Sequence, residues 1–191
     1  MPQQLSLFEE PKHESQDYPL FFALLPDEEA TLQIAQLVER FRQSHGLTGA
    51  LRPLHVTLCD LVPRETPQRT IEVASKVAAS VAAAPFRVAL NRMTRFGGKG
   101  GKDKRPLVLA GDDGVAGLGQ FRQRLCMQLR LADLTKMPGS FTPHLTLLYD
   151  DPLPPDQDVP PIAWTAQDFV LVRSLVGQSK HEVLGRWPLS A

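Results

Sequence analysis

Apolar and polar positions alternate along this chain in two periods, and the switch between them sets out the elements. Leu20-Phe21-Phe22-Ala23-Leu24-Leu25 is a continuous apolar run, which predicts a buried strand over 19–25. Pro26-Asp27 follows, and Asp27 suits a helix N-cap. Residues 28–44 then carry apolar side chains at helical spacing (Leu32, Ala35, Leu37, Val38, Phe41), ended by Gly46 and Gly49. A short strand is expected around His55. Thr66-Pro67 opens a second helix with a stripe from Ile71 to Val81, Pro85 stops it, and Phe86–Phe96 alternates as a strand. The second half repeats the order. Pro106–Ala110 reads as a strand, Gly111-Asp112-Asp113 as a turn able to cap, and Leu118, Phe121, Leu125 and Leu129 as a helix reaching Leu131. Pro138-Gly139 breaks it before a strand around His144. A proline-rich loop is expected over Pro152–Pro161, then strands over Trp164–Leu175 and His181–Leu189. Residues 1–17 are polar without a period and predict a loose tail.

The order strand, Asp turn, helix, strand, connection, strand therefore occurs twice. This points to an internal duplication, with halves of about 18–97 and 105–191 in one domain over 18–191. Two such halves about a pseudo-twofold axis would bring the His55 and His144 strands to one cleft. The strands share a motif: Leu54-His55-Val56-Thr57-Leu58 and Pro143-His144-Leu145-Thr146-Leu147 both read His-x-Thr-Leu. In a strand, alternate side chains share a face. His55 and Thr57 thus point one way and Val56 and Leu58 the other, and His144 and Thr146 repeat the arrangement.

Paired imidazoles suit one chemistry. Histidine titrates near pH 6.5, so one ring can be neutral while its neighbour is protonated. Across a cleft the pair can take a proton from a nucleophile and give one to a leaving oxygen. A threonine hydroxyl two residues away can donate to a non-bridging phosphate oxygen. The chain contains neither His-Glu-x-x-His nor a Gly-rich loop ending in Lys-Ser/Thr, and nothing in this scheme calls for a metal or other cofactor.

Composition narrows the reading. Lys+Arg and Asp+Glu are both 21, so the net charge is zero and attraction to a polyanion must come from local patches. No apolar run approaches the about 20 residues that span a bilayer. Cys59 and Cys126 have no metal-ligand spacing. With a polar, acidic start to the chain, free thiols in a reducing cytoplasm are expected.

The paired motifs resemble the signature of the two-histidine (2H) phosphoesterase superfamily, and within it the RNA 2',3'-cyclic phosphodiesterases also called 2'-5' RNA ligases. Phe21–Leu24, Leu107–Gly111, Phe169–Leu175 and Val183–Leu189 are similar to that family's opening, middle and closing strands. The resemblance implies an α+β, bilobal fold: two pseudo-symmetric lobes of antiparallel sheet flanked by helices, with His55, Thr57, His144 and Thr146 in the cleft. It implies metal-free opening of a 2',3'-cyclic phosphate to a 2'-phosphate, with some members joining RNA ends through a 2'-5' bond. By analogy His144 is the base on water and His55 the acid on the leaving oxygen. The expected partner is RNA with a 2',3'-cyclic phosphate end or a small cyclic nucleotide, bound by a monomer without a membrane. Other cyclic phosphates, 2'-5' linked oligonucleotides and a non-catalytic RNA-binding module are the alternatives.

The family often has a basic residue after its second motif, where this chain has Tyr149, Asp150 and Asp151. Positive charge is therefore sought elsewhere. Arg95–Arg105 holds five basic residues against one acid in a glycine-rich stretch, either a grip on RNA or a solvated linker. Arg52 and Arg95 are candidate phosphate contacts. His181 could stack on a base or simply belong to the last strand. Phe22 and Phe96 have the same two readings, with core packing the stronger for Phe22.

Overall fold

The computed structural model describes residues 18–62, 66–97, 104–111, 116–136, 139–175 and 178–190. The expected tail (1–17), the Asp112-Asp113 turn and most of the glycine-rich stretch (98–103) lie outside them. Among the described residues, eight strands and three helices follow in the order β1 (Leu20–Leu24), α1 (Glu28–His45), β2 (Val56–Asp60), α2 (Pro67–Ser80), β3 (Phe86–Arg95), β4 (Arg105–Ala110), α3 (Ala116–Leu131), β5 (His144–Asp150), β6 (Gln157–Ala166), β7 (Asp168–Leu175) and β8 (Lys180–Pro188).

The local signals act where the sequence placed them. Asp27 caps α1 by accepting from the Ala30 N–H at 2.8 Å. Gly46 ends α1 in the left-handed region at φ 67°, where glycine carries no Cβ penalty. Thr66 caps α2, with Pro67 in its first turn. Ala30, Ile34, Leu37, Val38 and Phe41 form the buried stripe of α1. Leu32, expected on that stripe, is instead exposed, because the stripe is centred on Ile34 and Leu32 falls about 200° around the helix from it.

All strand pairs are antiparallel, in one sheet of order β6-β3-β4-β5-β2-β1-β7-β8. The order is symmetric about the central β5/β2 pair: β4 mirrors β1, β3 mirrors β7, and β6 mirrors β8. The lobes are therefore two arms of one sheet, and they do not coincide with the halves of the sequence. β3 of the first half pairs with β4 of the second, and β7 of the second pairs with β1 of the first. The arms meet again at Gln167, which alone separates β6 from β7. α1 packs on β6, α3 on β2 and β3, and α2 on α3 and β8. A single large core results, running from Phe22, Leu58 and Ile34 through Phe121 and Leu145 to Phe169.

Two expectations about the strands after β5 fail. The Pro152–Pro161 loop ends early, since Val159-Pro160-Pro161 lies inside β6. β6 is an edge strand, and its register against β3 shifts between Leu90 and Arg92, opposite these residues. An edge and a bulge are where a strand tolerates residues with no N–H. Trp164–Leu175, expected as one strand, divides at Gln167 into the end of β6 and all of β7.

The free thiols are also a correction. Cys59 on β2 and Cys126 on α3 form a disulfide, with Cα atoms 6.1 Å apart and a sequence separation of 67. Both are buried, because the core packs α3 against β2. In the chain-entropy account, closing a loop of this length contributes about 4 kcal/mol. The cysteines therefore no longer argue for a reducing compartment. No described helix is long and apolar enough to cross a membrane.

Candidate active site

The central strand pair builds the site. Val56 pairs with Leu145, and both are fully buried on the core face. One step either way in this antiparallel register sets His55 opposite Thr146 and Thr57 opposite His144. The four polar side chains thus form a rectangle on the face away from the core, with histidines on one diagonal. Strand spacing and rise put the two histidine Cα atoms roughly 8 Å apart. All four residues are half-buried.

The final leucine of each motif has a matching role. The β1/β2 register shifts so that Phe22 pairs with Cys59 and Ala23 with Thr57, which leaves Leu58 as the extra residue. The β4/β5 register shifts so that Leu107 pairs with Leu148 and Val108 with Thr146, which leaves Leu147. Each His-x-Thr-Leu thus ends in a β-bulge whose leucine is driven into the core.

The histidines are held alike. His55 Nδ1 lies 2.8 Å from the Pro53 carbonyl oxygen, and His144 Nδ1 lies 2.8 Å from the Thr142 carbonyl oxygen. A carbonyl only accepts, so in each ring Nδ1 carries the hydrogen and donates. Nε2 is left in both rings to accept or release the working proton.

Their surroundings differ. His55 lies against Phe21, with ring centroids 5.0 Å apart, and meets His181 edge-on at 4.7 Å. Burial pushes its pKa below the ordinary value; His144 and Arg52 add to this, while the Pro53 carbonyl and Asp60 oppose it. His181 is pushed down to about 4, first by burial and then by His55 and Arg52, so it is neutral near pH 7. Among the described residues, the ring that packs on His144 is Phe96, at 4.5 Å.

Cavities open on both sides of the rectangle. One of about 270 Å³ lies at His55, with Phe21, Arg52, Tyr149 and His181 in its walls. Another, of about 610 Å³, runs from Thr57 and His144 to Arg122, Lys136 and Phe141 on the α3 side. A third of about 210 Å³ sits beside Phe96, between Arg92, Thr94 and Thr142.

The structure brings Arg52 and His181 to the site. Arg52 lies over the Tyr149 ring at 5.6 Å and donates to Ser179 Oγ at 2.6 Å. Asp150 holds the approach to β2: its Oδ2 accepts from the Thr48 and Gly49 N–H groups at 2.6 and 2.8 Å. Gly49 is required there, because a Cβ would meet the Tyr149 carbonyl oxygen at 2.5 Å. Those N–H groups, with Asp151 N–H and Lys104, lower the Asp150 pKa to about 2. Arg95 is not brought to the site. Its Nε pairs with Asp156 at 3.5 Å and it lines none of the three cavities. Its neighbours Arg92 and Thr94 face the cavity instead, as strand alternation requires. Phe22 packs on Phe169 and Trp187 in the core, while Phe96 joins His144. Sequence reading missed Phe21, Tyr149, Arg122 and Lys136. For Phe21 the signal was strand alternation, since it lies on the face opposite Phe22; the others carried none.

The sequence profile of the 2'-5' RNA ligase superfamily matches residues 26–178. The chain belongs to this superfamily. Solved structures of similar fold include LigT of Escherichia coli complexed with 3'-AMP, at 23% identity and TM-score 0.66, covering 91% of this chain and 98% of that one. LigT in its apo form gives 22% identity and TM-score 0.68 over the same shares. TT0787 of Thermus thermophilus gives 25% identity and TM-score 0.66, covering 90% of this chain and 97% of that one. No curated protein sequence matches significantly. Membership of the 2'-5' RNA ligase superfamily makes the chain a 2H phosphoesterase, an enzyme acting on phosphodiester bonds.

Proposed function

We propose that this enzyme opens 2',3'-cyclic phosphate ends of RNA or nucleotides to 2'-phosphates, with His55 and His144 as the proton-transfer pair. The observation that carries the reading is the shared hydrogen bond: both Nδ1 atoms donate to carbonyls, so both Nε2 atoms stand ready over one rectangle. A cyclic phosphate seated there receives hydrogen bonds from Thr57 and Thr146 on its non-bridging oxygens. One imidazole takes a proton from water as the new P–O bond forms. The other gives its proton to the 3'-oxygen as the P–O3' bond breaks. That LigT is crystallised with 3'-AMP and with ATP supports a nucleotide-sized ligand here. A 5'-hydroxyl in place of water, with the 2'-oxygen as the site of joining, would give the 2'-5' bond by related chemistry.

The surroundings of His55 favour it as the base, which reverses the order that the resemblance implied. Burial, with the neighbouring His144 adding to it, loosens its hold on a proton, which leaves its Nε2 free to accept one. His144, beside the larger cavity, is then the acid.

The test is hydrolysis of a nucleoside 2',3'-cyclic phosphate in EDTA, with the product identified. A 2'-phosphate formed by the parent protein and lost in both His55→Ala and His144→Ala supports the reading. Activity that vanishes in EDTA, or that survives either substitution, overturns it. An aryl phosphodiester that releases p-nitrophenolate needs no acid. It should restore turnover to His144→Ala but not to His55→Ala; the opposite result returns the roles to the first order.

A further inference from the structure

The cavity on the α3 side holds two cations that the chemistry above does not use. Arg122 Nε donates to the Leu58 carbonyl at 2.8 Å, and the guanidinium lies over Phe141, 4.2 Å from the ring centroid. That geometry fixes the group while its terminal nitrogens carry no hydrogen bond or ion pair among the described residues. Lys136 lines the same cavity, is exposed, and has no ion-pair partner among the described residues. Among the described residues, one acid lines this cavity with them, Asp60, which also lines the smaller cavity. Elsewhere the described arginines at the cleft are engaged: Arg92 with Asp156, and Arg52 with Ser179 and Tyr149.

The two sides of the rectangle thus differ in kind. The His55 side is small and walled by Phe21, Tyr149 and His181, the ring surfaces on which a base can stack. The α3 side is more than twice as large, begins at Thr57 and His144, and ends in fixed positive charge. A planar guanidinium with free N–H donors recognises phosphate oxygens. A lone cyclic phosphate already occupies the rectangle, so this charge faces a different group on the substrate.

We propose that Arg122 and Lys136 form a second phosphate subsite that binds the phosphodiester preceding the reacting nucleotide, making the enzyme selective for oligonucleotide ends over mononucleotides. The inference rests on the proposed reading for where the reacting phosphate sits, and it extends that reading to the substrate class. Arg122 is placed by α3, which the Cys59–Cys126 disulfide ties to β2 one turn further along the helix. The subsite is thereby held in register with Thr57.

The experiment is equilibrium binding, so it reads the subsite whether or not turnover occurs. The probes are a dinucleotide ending in a 2'-phosphate and the corresponding nucleoside 2'-phosphate, measured by calorimetry over a salt series. The dinucleotide should bind roughly 10- to 100-fold more tightly, the size of one or two charge-assisted hydrogen bonds. Its log Kd should be steeper in log salt by about 0.7 for the extra phosphate. Lys136→Gln, an exposed change that leaves the packing alone, should remove part of this preference, and Arg122→Gln most of it. Arg69→Gln, a charge change on α2, should leave the ratio as it was. Equal affinity for the two probes, or a preference that survives both cavity substitutions, overturns the proposal. If the preference is found but no cyclic phosphate is hydrolysed, the subsite stands and the hydrolytic reading falls.

Discussion

The His55 and His144 sides of the cleft are locally alike and environmentally unlike. Each has a histidine at or just before the start of a central strand, an Nδ1 donating to the carbonyl two residues back at 2.8 Å, a threonine on the same face, and a leucine bulged into the core. Around His55, however, β1 and β8 contribute Phe21 and His181, and the space is small. Against His144 packs Phe96, and a large cavity leads from it to α3. The lesson is that a duplicated strand can repeat chemistry while its surroundings divide the labour. Short-range geometry is copied with the motif; proton affinity and access are set by whatever packs against it.

The most direct way to break the comparison is to remove one imidazole at a time. His55→Ala and His144→Ala should each cost at least the 10²–10⁴-fold usual for general acid–base catalysis, with unfolding curves close to the parent's. Loss in only one of them would end the symmetric scheme. Thr57→Ala and Thr146→Ala sharpen it further. Each should lower kcat by about 10- to 1000-fold as a transition-state donor is lost, and nearly equal losses would show that the rectangle works as a unit.

Asp150, at the end of β5, ties the approach to the His55 strand through Thr48 and Gly49. Asp150→Asn weakens the bonds to Thr48 and Gly49 that set the approach to β2, at a stability cost of about 1–3 kcal/mol in denaturant unfolding. Because the folded pKa is lowered, the carboxylate stabilises above its unfolded value. In the parent that contribution fades as pH falls from about 4 towards the folded value of about 2. The substituted protein should lack that component of the acid transition, and an unchanged acid limb would refute the role given to Asp150.

The smallest effect concerns His181. Its folded pKa, about 4, lies below the ordinary 6.5. The unfolded chain therefore binds more protons between these values, and stability should fall as pH drops through that window. His181→Phe keeps a ring against His55 and cannot titrate, so it should flatten the pH dependence of stability between about 4 and 6.5. An identical slope in the variant would show that His181 is not the group responsible.

Much of this architecture was legible in the chain, for reasons that can be named. The caps at Asp27 and Thr66 and the stop at Gly46 act over three or four residues, so their signals are complete in the local sequence. The stripe of Leu118, Phe121, Leu125 and Leu129 and the pairing of His with Thr depend only on the periods of helix and strand. Pro160-Pro161 was misread because punctuation is also local, whereas permission for proline in β6 comes from its edge position and the bulge against β3. The pairing of Arg95 was not legible because nothing near it in sequence announces Asp156, just ahead of β6 and 61 positions along the chain.

By itself, then, the sequence determined the two histidine strands, the face each side chain takes, and the chemistry two such faces could perform. Backbone period and side-chain type decide these, and both are properties of a few neighbouring residues. Only the tertiary structure decided that β3 and β7 cross to opposite arms, that Cys59 and Cys126 join, and that Phe21 and His181 close around one imidazole. It alone placed Arg122 and Lys136 by the other. Each of these pairs residues far apart in the chain, and such pairs are selected by the packing of the whole core.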